Sequence, residues 1–386
     1  MKVKVAIVTR QMVMGGIEKA LIAMLESMSE QEYDVTVLVM AKGGELFNEI
    51  PNWVKVRCLY GDENTTLKKL TKTIKDKNIN KAIKILYYTI LCKKTKSIFK
   101  QEYYHSKMLG LEKEEYDIAV SYHVPASFPV VYVLNNIKSK KKIAWIHSDV
   151  SQYKDYMKLY DKYYYRFDSI LCVSKYGAQK FIEMYPSLKQ KTEVFYNIIH
   201  KDRIKYLAKE KENFDEDFKG IKILTVGRLS TQKGQDLIPS ILLQLKKKGH
   251  NVRWYCIGDG ELRPELEKSI KKYNLEKDFV LLGTMKNPYS YIKNCDIYVQ
   301  PSRHEGYCIT LAEARIFNKP IVTTDFVGAR EQIVDKENGL IVKCNEEELY
   351  LAIVRLIEDK SLKDKFIANL SRQIDNQENN ISRIFS

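Results

Sequence analysis

The sequence lacks a long uninterrupted apolar run, a paired cysteine motif and a secretory leader pattern. Its longest uncharged stretch contains Pro125 and Pro129, which disfavours a membrane-spanning helix. None of the seven cysteines lies in a C-x-x-C pair, so we expect neither a zinc site nor a disulfide framework. The first eight residues carry charges inside the apolar run and no cleavage site, so we expect no secretory signal. These features predict a protein of the reducing cytoplasm.

Glycine and proline are also scarce, with 17 and 9 residues among 386, which disfavours collagenous and low-complexity chains. Hydrophobic residues make up 45% and charged residues 29% of the chain, as in a folded globular protein. This length predicts two domains of about 150–200 residues each. The net charge of +15 suggests an anionic partner, with a lysine-rich surface that only maintains solubility as the alternative.

Strand and helix patterns alternate through the first 200 residues. Buried strands are predicted at 3–9, 35–40, 54–59, 118–121, 142–146, 169–173 and 193–195. A loop with Gly15 and Gly16 follows the first strand and precedes a helical pattern. The alternation predicts an N-terminal domain, residues 1–200, with a parallel sheet covered by helices.

A basic segment at 67–107 interrupts this alternation, with 12 lysines and only two acidic residues. Apolar side chains recur there at helical spacing, at Ile83, Leu86, Tyr87, Ile90 and Leu91. We predict an amphipathic helical insertion. Its apolar stripe packs either on its own domain or on an anionic membrane surface, and the sequence leaves both alternatives open.

A second alternation follows residues 201–219, which are polar, show no strand pattern and are predicted as the linker. Strands are predicted at 221–226, 252–257, 279–282, 297–300, 320–323 and 339–342. The second domain is predicted to span 220–365, followed by a polar helical tail at 366–386. The chain is therefore expected to hold two doubly wound α/β domains, whose ligands bind at the carboxyl ends of strands.

The loop after Gln300 contains the strongest candidate site, between a strand and a helix that we expect to start near Thr310. Backbone N–H groups of Ile309 and Thr310, with the positive end of the helix dipole, suit a diphosphate. Glu305 lies in the loop, where it contacts either a ligand or only solvent. Glu313 either accepts ligand hydroxyls or completes a capping box with Thr310.

A second loop, after the strand at 221–226, offers two cations. Arg228 can form bidentate hydrogen bonds to phosphate oxygens, and Lys233 adds a point charge. Together they could stabilise a departing pyrophosphate, whereas each alone is more typical of surface charge. The tight turn Gly258-Asp259-Gly260 also ends a strand.

The first domain contributes two weaker signals. Gly15 and Gly16 lack the G-x-G-x-x-G spacing of a dinucleotide site, which disfavours a dehydrogenase, but they let backbone approach a ligand. His147 follows a strand in the segment Trp-Ile-His-Ser-Asp. A single histidine of this kind is more often structural than functional.

Taken in order, these motifs resemble glycosyltransferase family 4: Gly-Gly, His-Ser-Asp, Val-Gly-Arg-x₄-Lys-Gly, Gly-Asp-Gly and Ser-Arg-x-Glu-Gly-x₆-Glu-Ala. The resemblance spans nearly the whole chain and is closest over residues 221–342. It implies the GT-B fold, an α/β architecture of two doubly wound Rossmann-like domains facing a central cleft. It also implies a retaining, metal-independent enzyme without a cofactor.

The resemblance also implies residue roles. Glu305 and His147 would act beside the reacting sugar. The donor's diphosphate and ribose would be held by Gly16, Arg228, Lys233, Ile309, Thr310 and Glu313, with Gly15, Gly258, Asp259, Gly260 and Gly306 nearby. Tyr307 and Cys308 depart from the Phe-Gly that often follows the family's Glu-Gly.

The expected function is transfer of sugar from a nucleoside diphosphate donor, a UDP-sugar, to a lipid-linked or polysaccharide acceptor in bacterial surface glycan synthesis such as capsule or exopolysaccharide. The expected partners are the donor, this glycan acceptor and an anionic membrane surface, and no nucleic acid, because no nucleic-acid-reading motif accompanies the charge. The protein is expected in the cytoplasm, bound peripherally to the inner face of the cytoplasmic membrane. A nucleotide-sugar epimerase and a non-catalytic partner subunit are the alternatives.

Overall fold

The computed structural model describes residues 1–59, 73, 75, 79–125, 127–159, 161–210, 214, 217–372 and 381–385. Most of the first part of the predicted basic insertion, residues 67–72, 74 and 76–78, lies outside the described residues. The chain divides into two compact units, one formed by Met1–Asn197 with the chain end and the other starting at Ile198. None of the helices in the described ranges combines the length and the apolar character that a membrane-spanning segment needs.

The first unit contains a seven-stranded sheet in which all neighbouring strands are parallel. Its strands are β1 Val3–Thr9, β2 Tyr33–Val39, β3 Lys55–Cys58, β4 Glu115–Val124, β5 Lys138–Ile146, β6 Ser169–Cys172 and β7 Thr192–Val194. Their order across the sheet is β3-β2-β1-β4-β5-β6-β7. Residues 5–8 of the central β1 are all fully buried, as expected for a parallel sheet buried on both faces.

Helices connect these strands, and two of them begin at a serine side-chain cap. They are α1 Gly16–Glu26, α2 Ile79–Lys94, α3 Ile98–Leu109, α4 Ser127–Asn136, α5 Lys154–Lys158, α6 Asp161–Tyr164 and α7 Lys175–Met184. Helix α7, for example, starts after Ser174, whose hydroxyl accepts the Gly177 N–H at 3.0 Å. Helices α2 and α3 confirm the helical character predicted for the described part of the basic segment.

The second unit contains a six-stranded sheet, also with parallel neighbours. Its strands are β8 Ile221–Val226, β9 Val252–Ile257, β10 Phe279–Gly283, β11 Ile297–Gln300, β12 Ile321–Thr324 and β13 Leu340–Val342, in the order β10-β9-β8-β11-β12-β13. Its helices are α8 Lys201–Leu207, α9 Ile238–Lys247, α10 Arg263–Lys272, α11 Tyr289–Asn294, α12 Ile309–Ile316, α13 Ala329–Gln332, α14 Glu346–Glu358 and α15 Lys360–Arg372. All thirteen predicted strands are present, with bounds that either match the prediction or differ from it by a few residues.

The boundary between the units differs from the predicted linker at 201–219. The division falls after Asn197, and the start of the predicted linker forms helix α8 inside the second unit. This helix forms there because Ile204 is buried in the same apolar cluster as Tyr289 and Tyr298. A single buried apolar residue among charged ones gives too weak a pattern to identify such a helix from sequence.

The chain end also differs from the predicted tail at 366–386. Helix α15 begins before that segment, and the last described helix, α16 Ser382–Phe385, belongs to the first unit. Arg383 pairs there with Glu193 at 2.7 Å, and the Phe385 ring is fully buried. The end of the chain therefore helps to build the unit in which the chain begins.

Candidate active site

Three loops of the second unit meet at the carboxyl end of its sheet, after β8, β9 and β11. These strands are neighbours in the order β9-β8-β11, and parallel strands bring their carboxyl ends to one edge. The loops touch through their backbones: the N–H of Leu229 donates to the carbonyl of Asp259 at 3.0 Å, and that of Arg303 to Gln232 at 2.8 Å. The predicted segments 227–234, 258–260 and 301–308 therefore lie side by side.

Glycine is required where the backbones of this loop cluster approach most closely, at Gly258 and Gly234. Gly258 has a φ of +136°, and a Cβ there would lie 2.0 Å from the carbonyl oxygen of Gly227. Gly234 has a φ of +75°, and its Cβ would lie 1.9 Å from the carbonyl oxygen of Pro301. Only a residue without a side chain permits these approaches.

The other predicted residues of these turns have contacts inside the loop cluster. Asp259 accepts the N–H of Gly260 at 2.8 Å and pairs with Arg263 at 3.3 Å, so its carboxylate has partners within its own turn and the next helix. The carbonyl of Gly306 lies 2.8 Å from the position of a Cβ on Gly328, so these loops also pack closely. These contacts are structural and assign no chemistry to Asp259 or Gly306.

Lys233 and Glu305 form an ion pair at this edge of the sheet. Their side chains are 24% and 9% exposed. Burial is the largest single effect and lowers the pKa of Lys233. The charge of Glu305 and the hydrogen bond to it are the main opposing effects, and the combined effects hold the pKa above its ordinary value. Lys233 therefore keeps its positive charge at neutral pH.

A chain of buried polar groups orients Glu305. Ser302 donates to Oε1 of Glu305 at 3.0 Å, and Nε2 of Gln300 donates to the Ser302 hydroxyl at 2.8 Å. The hydroxyls of Tyr298 and Thr310 donate to Oε1 of Gln300 at 2.8 and 3.2 Å. Sequence reasoning missed Gln300 and Ser302 as site residues, although polar residues at the end of a buried strand were a signal for them.

The guanidinium of Arg228 is an exposed cation in the loop cluster of the second unit. No acidic side chain pairs with it in the part of the chain that the structure describes. Its positive charge opposes the rise in the pKa of Lys233, so the two cations lie close enough to repel each other. An unpaired guanidinium beside a lysine suits a ligand with several phosphate oxygens.

Helix α12 begins at Ile309, one residue before the predicted start. The N–H groups of Ile309 and Thr310 have no intrahelical acceptor, because they open the helix, and the N-cap Cys308 forms no side-chain cap hydrogen bond that would satisfy them. Burial raises the pKa of the Cys308 thiol to about 12, which keeps it protonated. The helix start therefore offers N–H donors and a positive dipole without a reactive thiolate.

Glu313 does not complete a capping box. Thr310 lies inside α12, not at its N-cap, which removes the geometry that the box requires. Instead, Oε1 of Glu313 accepts a hydrogen bond from the hydroxyl of Tyr289 at 3.1 Å, with both residues buried. Burial and the charge of Glu313 raise the pKa of Tyr289, which keeps its hydroxyl protonated as a donor. Sequence reasoning missed Tyr289, because it belongs to the separate helix α11.

Gly15 and Gly16 lie in the first unit, at the junction between β1 and α1. Gly15 is the N-cap of α1 and has extended backbone, and Gly16 is its first residue. The preceding N–H, of Met14, donates to Glu45 at 2.9 Å, which anchors the loop. Because Gly15 has no side chain, it cannot accept a side-chain capping hydrogen bond from the first turn of the helix.

His147 also lies in the first unit, directly after β5, among aromatic rings. Its ring centroid is 4.4 Å from that of Tyr122 and 6.0 Å from that of Trp145. Burial and the charge of His123 hold the pKa of His147 well below its ordinary value, so the ring is neutral at neutral pH. Its Nε2 is buried and has no hydrogen-bond partner among the described residues. A buried nitrogen without a partner is costly, so this one is able to form a hydrogen bond with a bound ligand.

The structure thus brings the predicted residues together in two groups. Arg228, Lys233, Glu305 and Glu313 join the start of α12 in the second unit, while Gly15, Gly16 and His147 follow strands of the first. No group of three His, Cys, Asp or Glu side chains able to hold a metal occurs within the described residues. The group in the second unit offers anion binding and hydrogen bonding to hydroxyls, and the group in the first unit offers a neutral imidazole.

Two parallel α/β sheets with glycine-containing loops at their carboxyl edges define a GT-B protein. A solved structure with this fold is that of HepE from Anabaena in complex with UDP and glucose. It matches with a TM-score of 0.69 at 17% identity and covers 100% of this chain and 97% of the Anabaena chain.

Sequence comparison then identifies the family. Residues 14–203 match Glycosyltransferase Family 4, and residues 207–373 match Glycosyl transferases group 1. The chain belongs to glycosyltransferase family 4 and is a transferase enzyme. This membership favours sugar transfer over the epimerase and the non-catalytic subunit.

Individual relatives are similar over much of the chain. Two uncharacterized glycosyltransferases of Methanocaldococcus jannaschii are 29% and 30% identical over 306 and 263 residues, which cover 67% and 66% of this chain and 75% and 69% of theirs. A third relative, from Campylobacter jejuni, is 32% identical over 205 residues, or 53% of this chain and 54% of its own. It is named N-acetylgalactosamine-N,N'-diacetylbacillosaminyl-diphospho-undecaprenol 4-alpha-N-acetylgalactosaminyltransferase.

Proposed function

We propose that this glycosyltransferase moves a sugar, with retention of anomeric configuration, from a UDP-sugar to a lipid-linked or polysaccharide acceptor in bacterial surface glycan synthesis. One observation carries the donor part of this proposal. Arg228, Lys233, Glu305 and Glu313 gather around a helix start with free N–H groups. The arrangement combines two cations for phosphates with two oriented carboxylates for hydroxyls.

The proposed donor site assigns each group by its chemistry. Arg228, Lys233 and the N–H groups of Ile309 and Thr310 bind the diphosphate, because all of them donate hydrogen bonds or carry positive charge. Glu313 accepts from the ribose hydroxyls and Glu305 from hydroxyls of the sugar. The contact between Lys233 and Glu305 keeps the phosphate-binding cation beside the sugar-binding carboxylate.

For the first unit, the proposal follows the family resemblance. His147 is placed beside the reacting sugar, where its neutral, buried imidazole can donate or accept one hydrogen bond. Gly15 and Gly16 are placed at the diphosphate, where the absence of side chains lets backbone N–H groups approach the oxygens.

In the proposed mechanism, the acceptor hydroxyl attacks the anomeric carbon on the side from which the nucleotide leaves. The bond from carbon to the diphosphate oxygen breaks, the new glycosidic bond forms, and the hydroxyl proton passes to the departing diphosphate. Arg228, Lys233 and the helix dipole stabilise the charge that develops on the leaving group, so no metal or cofactor is required.

The named relatives support the finer parts of the proposal. The Anabaena protein was crystallised with UDP and glucose, which supports a uridine donor. The name of the Campylobacter relative includes a diphospho-undecaprenol acceptor, which supports a lipid-linked acceptor. Such an acceptor would place the enzyme peripherally on the cytoplasmic face of the membrane that contains the lipid.

The test is transfer activity of Lys233→Ala and Glu305→Ala with a panel of UDP-sugars. Each substitution is expected to lower turnover by about 100-fold or more, because it removes charge stabilisation or sugar orientation in the transition state. The matched control is the exposed ion pair of Lys248 and Glu358 at 2.8 Å, whose alanine variants should retain activity. Full transfer by both site variants would refute the assignment.

Metal independence is tested separately with the wild-type enzyme. Turnover should be unchanged after treatment with EDTA, because protein cations balance the diphosphate in the proposed mechanism. Loss of transfer on chelation, and its recovery on adding a divalent cation, would show that this part of the mechanism is wrong.

A further inference from the structure

Helix α2 exposes an apolar stripe that no described element covers. The stripe consists of Ile79, Ile83, Leu86, Tyr87 and Ile90, which are 68%, 61%, 51%, 57% and 44% exposed. Their spacing places them on one side of the helix. Single exposed apolar residues are ordinary, but a continuous stripe of five indicates an interaction surface.

A different side of α2 already packs on the first unit. Ala82 and Ile85 are buried, and the hydroxyl of Thr89 lies 3.6 Å from the sulfur of Met108 on α3. The ring of Tyr88 stacks on that of Tyr104, with centroids 5.9 Å apart. The sequence left open whether the apolar stripe packs on its own domain, and these contacts show that the domain uses another face.

Positive charge surrounds the stripe. Residues 79–109 contain seven lysines and a single acidic residue, Glu102, which is only 9% exposed. The side chains of Lys84, Lys93, Lys94, Lys96 and Lys100 are all exposed. The solvent-facing surface of α2 and the start of α3 therefore combines apolar side chains with charge of one sign.

We propose that α2 docks on the surface of a bilayer rich in anionic phospholipid. The stripe enters the boundary between headgroups and acyl chains, and the lysines face the lipid phosphates. With 16 residues and several charges, the helix lies in the plane of the surface. A second copy of the chain would present the same positive charge, which opposes pairing through this face, whereas an anionic bilayer complements it.

This inference deepens the proposed function, because a lipid-linked acceptor resides in a bilayer. It rests on the exposed stripe and its lysines, not on the donor site. Membrane binding and sugar transfer can therefore be measured independently, and either result can fail without the other.

The test is co-sedimentation of the full-length protein with vesicles of phosphatidylcholine, with and without phosphatidylglycerol. The wild-type protein should sediment only with the anionic vesicles, and less at high salt. Ile83→Gln combined with Leu86→Gln should lower the vesicle partition coefficient by about tenfold or more, since the apolar area is lost. Neutralising Lys93 and Lys94 with glutamine should lower it by about fivefold for each lysine.

The control variant combines Leu351→Gln with Ile367→Gln, two exposed apolar positions on helices of the second unit, and should bind vesicles as the wild type does. Circular dichroism and transfer to a soluble acceptor should be unchanged in the Ile83/Leu86 variant. Failure of the wild-type protein to bind anionic vesicles, or equal binding by the Ile83/Leu86 variant, overturns the proposal. So does a lipid-free dimer that these two substitutions dissociate, since the stripe would then serve a second copy.

Discussion

At the scale of single residues, the hydroxyl of Tyr289 contacts the carboxylate of Glu313 at 3.1 Å. Tyr289→Phe removes this hydrogen bond and keeps the ring. Hydrogen bonds to charged groups contribute about 1.5–3 kcal/mol, so the KM for the nucleotide sugar should rise about tenfold or more. The kcat should change little, because the proposed ribose contact is the same in ground and transition states.

Steady-state kinetics with varied donor concentration measure this effect. Tyr273→Phe in the same unit is the control, since the Tyr273 hydroxyl has no hydrogen-bond partner within the described residues, and its KM should equal that of the wild type. An unchanged KM in Tyr289→Phe would show that Tyr289 does not position Glu313.

His147 links the stability of the first unit to pH. Burial and His123 hold its folded pKa well below the ordinary value of about 6.5, so the unfolded chain binds a proton that the folded unit excludes. The free energy of unfolding therefore has its full value above about pH 6.5. As the pH falls below that value toward the folded pKa, the free energy of unfolding decreases by about 1.4 kcal/mol per pH unit.

His147→Gln removes this titration. Its melting temperature, followed by scanning calorimetry for the first unit, should fall less steeply than that of the wild type between about pH 7 and pH 5. Parallel curves for the two proteins would contradict a buried, neutral His147.

The residues of the candidate site were not equally predictable from the sequence. Arg228, Lys233 and Glu305 follow buried strands, so their loops could be located from the strand pattern and the family resemblance. Tyr289 could not be found this way. It belongs to a helix 24 residues before Glu313, and the pair forms only when α11 packs beside α12.

At the scale of elements, the strands were the most predictable part of the chain. A parallel sheet buried on both faces needs continuous short apolar runs, and β8, β9 and β11 were predicted with their observed bounds. Helix starts were less certain, because Cys308 caps α12 without a side-chain hydrogen bond that the sequence could signal. Helix α8 was missed because one buried isoleucine is its main apolar anchor.

The turn that carries Lys233 depends on Gly234. Gly234→Ala should lower the stability of the second unit by several kcal/mol, because left-handed backbone costs about 1–2 kcal/mol and a Cβ 1.9 Å from the Pro301 carbonyl adds a clash. Donor affinity should fall as well, since the clash displaces the loop. Thermal melting and UDP titration measure the two effects.

Gly249→Ala provides the matched comparison. Gly249 has a φ of +88° in the same unit, but no atom lies within 4 Å of its Cβ position. Only the conformational cost of about 1–2 kcal/mol is expected there, with donor affinity unchanged. Equal losses in the two variants would show that close approach to Pro301 is not what requires glycine at 234.

At the scale of the whole molecule, the two ends of the sequence build one unit. The buried ring of Phe385 contacts that of Tyr33 at a centroid distance of 6.1 Å, and Lys141 donates to the carbonyl of Ile384 at 3.1 Å. Phe385→Ala should therefore destabilise the first unit by about 3–5 kcal/mol, although the residue follows the whole second unit in sequence.

Phe366→Ala is the counterpart in the core of the second unit, where Phe366 is also fully buried. Scanning calorimetry should show the Phe385 variant lowering one transition and the Phe366 variant the other. If Phe385→Ala left the transition of the first unit in place, the chain end would not contribute to that unit.

The sequence by itself determined the succession of strands, most of the helices between them and the charged loops that follow strands. These features are local, because burial on both faces of a parallel sheet imposes its pattern within a few residues. Only the tertiary structure decided which side chains meet. Lys233 and Glu305, 72 residues apart, pair because β8 lies beside β11 in the sheet. The rotation of α2, which turns its apolar stripe outward, was also decided by packing, since an amphipathic pattern does not specify what its apolar face contacts.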